Sequence, residues 1–359
     1  MGSLKEILDL PNELSKRDPQ GMLEILGRFD QQLEQALQIG QEVTIPPGGQ
    51  PIEKVLLCGM GGSAIGGDLL RAYLGQDMKL PFLVNRNYSL PGFVDARTLV
   101  LVASYSGQTE ETLSSYAQAQ EAGASVICLT SGGTLGQLAQ EHGVPCARIP
   151  EGYPPRSALG FCAIPFLVCL SRLGLSSDRS GELRRSIELV RTKIQQYGPL
   201  SLTSENLAKS LALNLKNRIP IIYGSDSHLD MVAIRWRGQF SENGKQLAYS
   251  NALPEMNHNE IEGWTHPPTL LRQLVPIFLR DRDDHPKTQT RIDVTRSLLS
   301  EKVDSALEYW TDGESWIDRL WSLILLGDYA SVYLAFLNQV DPTPVKIIER
   351  LKTRLKELA

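Results

Sequence analysis

The stretch Lys54-Val-Leu-Leu-Cys-Gly-Met-Gly-Gly-Ser-Ala-Ile-Gly-Gly-Asp68 constrains the fold of this chain more than any other. Val55 to Cys58 is a short, fully apolar run. Gly59, Gly61, Gly62 and Ser63 break it, and helical spacing then runs from Ile65 through Leu69, Leu70 and Tyr73. A strand that turns through glycines into a helix aims backbone N–H groups and the positive end of the helix dipole at one spot, which suits an anion such as phosphate. Glycines that merely let strand and helix pack closely would leave the same pattern, and one glycine-rich turn does not separate the two readings.

A second stretch favours the anion site. Thr98 to Ala103 is another apolar strand, and it runs into Ser104-Tyr-Ser-Gly-Gln-Thr109-Glu110-Glu111. Ser104, Ser106 and Thr109 set three hydroxyls around Gly107 where the next helix starts. A Ser or Thr ahead of Glu is also a helix cap, which accounts for one hydroxyl but not three. Ser125 to Thr130 ends likewise in Ser131-Gly-Gly-Thr134. Strands at 54–58, 81–85, 98–103, 125–130 and 146–149 alternate with helical patterns, the cadence of a mostly parallel sheet covered on both faces. Ligands of such sheets bind at the carboxyl edge, here rich in neutral N–H and O–H donors.

The motifs GMGGSAIGGD and SYSGQTEET resemble the sugar isomerase (SIS) domain. Together with Pro155-Arg-Ser-Ala-Leu-Gly160, Phe240-Ser-Glu-Asn-Gly-Lys245 and Pro254-Glu-Met-Asn-His-Asn-Glu260, they resemble the bifunctional phosphoglucose/phosphomannose isomerase family from about residue 45 to the C-terminus. The resemblance implies an α/β chain of two SIS-type doubly wound domains, each a mostly parallel sheet flanked by helices. Residues 1–180 would form the first domain and 181–359 the second. Arg218 to Ser225 repeats the theme of strand, glycine and serine, and 247–253 and 274–279 read as further strands. The second half therefore reads as a diverged copy with a degraded phosphate turn.

Aldose–ketose isomerisation requires ring opening, a proton moved between C1 and C2, and a stabilised enediolate. A partly buried carboxylate can take a proton alpha to a carbonyl. Glu242 fits by type, although a helix-end Glu paired with Lys245 or Arg235 would look the same; the resemblance makes it the proton shuttle. An imidazole moves protons near neutral pH, and the resemblance assigns His258 to ring opening, supplied by the neighbouring subunit of a homodimer, with Glu255 and Glu260 able to orient it. Arg156 precedes an apolar helix, a disfavoured place for a cation; it would stabilise the enediolate oxygens. Gly62, Ser63, Ser104, Ser106 and Thr109 are expected to hold the phosphate. The resemblance also places a lysine and a residue lining the C2–C3 region in the C-terminal segment: Lys352, with Arg350 or Lys346 as alternatives, and Thr343. The implied activity interconverts glucose 6-phosphate and mannose 6-phosphate with fructose 6-phosphate without metal or cofactor. A phosphosugar-binding SIS regulator, or an isomerase of another phosphosugar, would keep the cradle and change the rest.

Composition sets the outer bounds. A chain of 359 residues that is 42% hydrophobic can bury a large core. Its net charge of −5 argues against nucleic-acid or anionic-membrane partners. Four of the five cysteines, Cys58, Cys128, Cys162 and Cys169, lie in apolar runs, and no spacing suggests zinc or a disulfide framework. With no apolar signal core in Met1 to Glu6, a cytoplasmic protein is expected. Asp281 to Lys287 reads as a charged surface loop with a solvated His285. Trp316 to Phe336 reads as an apolar helix with surplus surface for a subunit interface, and Val345 to Leu358 as a final basic helix.

Overall fold

The computed structural model describes residues 7–46, 50–75 and 77–358. The reading of Met1 to Glu6 lies outside them. The first sheet holds five parallel strands in the order β2-β1-β3-β4-β5: β1 Lys54–Gly59, β2 Phe82–Asn85, β3 Thr98–Ala103, β4 Ser125–Thr130 and β5 Cys146–Arg148. β1 pairs with β3 from Lys54↔Thr98 to Gly59↔Ala103. Val55–Cys58 and the whole of β3 are buried, as continuous apolar runs in a sheet covered on both faces should be.

The second sheet is also parallel, in the order β7-β6-β8-β9, with β6 Ile219–Ser225, β7 Tyr249–Leu253, β8 Leu274–Arg280 and β9 Leu307–Trp310. Two parallel sheets flanked by helices match the expected fold class. The sequence reading missed β9. It is a four-residue edge strand with only half-buried or exposed side chains, too short and too polar to show as an apolar run.

Helix Trp316–Leu337 is the centre of the molecule. Ser315 and Asp318 close a capping box at its start, and its most apolar window is wholly buried within this chain although it is long enough to cross a bilayer. The surplus surface expected to meet a second subunit is instead spent on the helices 180–197, 207–215 and 230–242. Helix Phe29–Glu42 packs on helix Leu159–Arg172, and the buried Gln32 accepts from Gly160 N at 2.8 Å and donates to Ser157 O at 3.0 Å. That fixes the turn that carries Arg156.

The expected surface loop after β8 is partly internal. Asp281 and Asp284 are buried because the loop folds under partners. Arg319 Nε and His228 Nε2 meet Asp281 at 2.8 and 3.1 Å, and Ser225 Oγ donates to Asp284. His285 is exposed, as expected, and its Nδ1 accepts the Lys287 N–H. Where the first sheet presents glycines and hydroxyls, the carboxyl edge of the second presents Asp226, Asp281, Asp283 and Asp284, with Arg319 paired to Asp281 and Asp283.

Candidate active site

Three helices begin at the carboxyl edge of the first sheet: Gly61–Leu74, Glu110–Glu121 and Gly133–Glu141. Their N-cap residues, Met60, Thr109 and Gly132, make no side-chain capping bond. Capping is therefore not what the Thr109 hydroxyl does. It shares a 2.9 Å hydrogen bond with the Ser104 hydroxyl, leaving the first N–H groups of the helix without a side-chain acceptor. Unpaired N–H groups and three aligned dipoles favour an anion at this edge. Ser106 is exposed beside them, and its Oγ accepts the Gln108 N–H at 3.3 Å. Ser63 lies in the first turn of helix Gly61–Leu74 and is buried at 4% exposure.

Two glycines are required here. Gly107 has φ +66, and a Cβ on it would fall 1.9 Å from Gly132 O; the turns after β3 and β4 interlock at that point. A Cβ on Gly62 would meet Pro155 O at 2.4 Å. The segment carrying Arg156 thus lies directly on the glycine-rich turn, which joins the cradle to the chemistry beside it.

Arg156 is only 5% exposed. Its Nε donates to Asn243 Oδ1, and its Nη2 donates to Pro342 O at 2.9 Å and Thr343 O at 2.8 Å. Nη1 faces Glu242 Oε2 at 3.5 Å. Burial pushes the guanidinium pKa down, against the opposing effect of Glu242 and Asp341. The Glu242 carboxylate pairs with neither Lys245 nor Arg235. Lys245 takes the Glu242 main-chain carbonyl instead, and Arg235 is bound bidentately to Asp328 at 2.6 and 3.0 Å. Arg235 Nη2 also donates to Arg156 O at 3.0 Å. Gly61, Gly62, Arg86, Arg156, Arg237 and Glu242 line a cavity of about 290 Å³. A fixed cation and a carboxylate that is one-third exposed therefore share one small space, the arrangement needed to take a proton and hold the negative charge that forms.

Of the residues expected in the site, the structure gathers Gly62, Arg156, Glu242 and Thr343. The Thr343 hydroxyl is buried without a partner among the described residues. His258 and Lys352 stand apart within one chain. His258 is exposed on the 3₁₀ turn Glu255–His258 after β7, and Lys352 is exposed on helix Lys346–Leu358. Neither lines the cavity. Glu260 serves Tyr223 and Asn251, and Glu255 accepts from Asn259, so neither orients His258 within this chain.

Comparison with known proteins gives the family. The bacterial phospho-glucose isomerase C-terminal SIS domain matches residues 204–355. The bifunctional phosphoglucose/phosphomannose isomerase of Caldicellulosiruptor bescii is 41% identical over 94% of this chain and 99% of its own length. The chain belongs to the bifunctional phosphoglucose/phosphomannose isomerase family. The Aquifex aeolicus member is 36% identical over 86% of this chain and 92% of its own. A hypothetical protein from Thermus thermophilus shares the fold, with a TM-score of 0.71 and 17% identity over 99% of this chain and 94% of that one.

Against that family background, several residues of the site were not singled out from sequence. Asn243 bridges Arg156 Nε to Ser331 Oγ, to which it donates at 2.9 Å. Arg86 reaches the cavity from the loop after β2 while bound to the buried Asp68 of the glycine-rich motif. Asp68 ends a motif whose glycines, Ser63 and apolar spacing carry the sequence reading, and an acidic residue inside a buried run is the available signal for a partner.

Proposed function

We propose that this protein is an aldose–ketose isomerase that interconverts glucose 6-phosphate and mannose 6-phosphate with fructose 6-phosphate through a shared enediolate. The relatives' name supplies the substrates. The observation that carries the chemistry is the Arg156–Glu242 pair, 3.5 Å apart, beside an uncapped, neutral anion cradle. Glu242 moves the proton between C1 and C2, and Arg156 holds the enediolate oxygens. The two aldoses differ only at C2, so one intermediate serves both. A coupled assay for fructose 6-phosphate from each aldose, with chelator present, tests the reading; turnover of neither sugar would reject it.

The cradle holds the phosphate in both ground and transition states. Ser104→Ala with Thr109→Val is therefore expected to raise KM for the phosphosugar by more than it lowers kcat, as loss of uniform binding does. An unchanged KM in that double variant would move the phosphate elsewhere.

Ring opening falls to His258 of a second subunit, since His258 is exposed and separate from Glu242 within one chain. Helix Lys346–Leu358 supports assembly, because none of its described residues is buried while Ile347, Leu351, Leu355 and Leu358 are 53–86% exposed along one face. Mixing inactive Arg156→Ala and inactive His258→Ala chains should then restore activity. Random reassociation makes half the dimers mixed, each with one intact site, so recovery approaches about a quarter of the wild-type specific activity under an isologous arrangement. Subunit exchange without recovery would place His258 in its own chain's site or outside catalysis.

A further inference from the structure

The C-terminal segment crosses the site before it leaves the body of the protein. Asn338 Nδ2 donates to Gly244 O at 2.9 Å, and Asp341 Oδ1 accepts the Thr343 N–H at 2.9 Å. Pro342 and Thr343 then present consecutive carbonyls to Arg156. Beyond them, helix Lys346–Leu358 buries none of its described residues, so residues 342–343 are the last inner attachment of this strap.

Lys245 holds the same strap from the other side. Its Nζ donates to Pro342 O at 2.8 Å and to Glu242 O. Pro342 O therefore accepts from Arg156 and Lys245 together, with two cations on one carbonyl. Lys245 also adopts φ +53, a left-handed conformation that a side chain with Cβ disfavours. That conformation follows Gly244, and it turns the amine back across the end of helix Asp230–Glu242.

We propose that Lys245 is a positioning residue: its ammonium latches Pro342 so that the strap holds the Arg156 guanidinium facing Glu242, and loss of the proton loosens the latch. Strain and like charge both work against this lysine, and local costs of that kind concentrate at functional sites. Three charged groups face the amine: Arg156 from the 3₁₀ turn Pro155–Ser157, Glu242 from the end of helix Asp230–Glu242 and Asp341 from the strap. Burial, then Arg156, push its pKa down to about 8, with Asp341 and Glu242 opposing. The sign follows directly. Below about pH 8 the ammonium is charged and the latch is closed; above it, Glu242 O loses its charged donor, Pro342 O keeps only Arg156, and kcat falls.

The kinetic arm of the test rests on the isomerase reading, whereas hydrogen exchange does not. In the wild-type protein, exchange of the Val340, Asp341, Thr343 and Val345 amides, corrected for intrinsic base catalysis, should quicken as pH rises from 7 to 9 relative to the rest of the chain. Lys245→Met should show the quickened exchange already at pH 7. Its kcat should fall about 10- to 100-fold, the scale of a misplaced catalytic group, with KM within about twofold. Lys245→Arg keeps a cation that does not titrate in this range and should move the alkaline limb of kcat upward. An unchanged limb in Lys245→Arg, or pH-independent strap exchange in the wild-type protein, would overturn the assignment.

Discussion

Glu242→Gln is expected to lower kcat for isomerisation by about 10²–10⁴-fold or more while leaving phosphosugar binding within a few-fold, since a positioned general base contributes on that scale. The amide is nearly isosteric with the carboxylate and cannot accept the C2 proton. The rest of the site should stay in place, because Asn243, Pro342 O and Thr343 O hold Arg156 independently of Glu242. The cradle at Ser104 and Thr109 has no bond to Glu242. The decisive measurement is solvent exchange of the substrate's C2 hydrogen, followed by NMR in deuterated water. Binding without exchange assigns the proton transfer to Glu242. Near-normal exchange would mean that another residue is the base and that the Arg156–Glu242 pair only shapes the cavity.

The first sheet was legible because each of its inner strands is a short apolar run that stops at glycine or hydroxyl residues, a pattern with few structural solutions. Cradle and sheet edge followed from the same signal. What the sequence could not display is which partner each polar group chooses. Thr109 had every mark of a cap, yet its hydroxyl turns to Ser104, and Glu242 had Lys245 and Arg235 within helical reach, yet meets Arg156 from 86 residues away. Local spacing ranks near neighbours, and a buried guanidinium brought in by tertiary packing outranks them. The apolar surplus of helix Trp316–Leu337 was visible, but not that its cover comes from its own chain. Composition reports how much surface needs covering, while topology decides what covers it. The acidic loop after β8 misled for a related reason, because a carboxylate is internal only once its Arg319 or Ser225 has been placed.

Asp328→Ala is expected to be the most destabilising single change near the site. The Arg235–Asp328 pair has both side chains only 3% exposed, and Gln239 Nε2 also donates to Asp328 Oδ1, at 2.8 Å. Removing the carboxylate leaves a buried guanidinium without its counter-charge, which costs about 3–5 kcal/mol. Denaturant unfolding measures this directly. The pair itself is not required for folding, since a well-packed apolar replacement of both partners is often neutral or better. Arg235→Met with Asp328→Leu should accordingly recover most of the lost stability, with an interaction energy far from additive. Activity should not return with it. Arg235 Nη2 is the donor to Arg156 O, and Ser331, which accepts from Asn243, donates to Asp328 O. The refolded double variant would thus have lost the direct tie from the central helix, through Arg235, to the Arg156 turn. Stability restored with kcat still depressed would separate the two roles of the pair. A penalty below about 1 kcal/mol for Asp328→Ala, the range of exposed ion pairs, would show that the pair is hydrated and holds nothing.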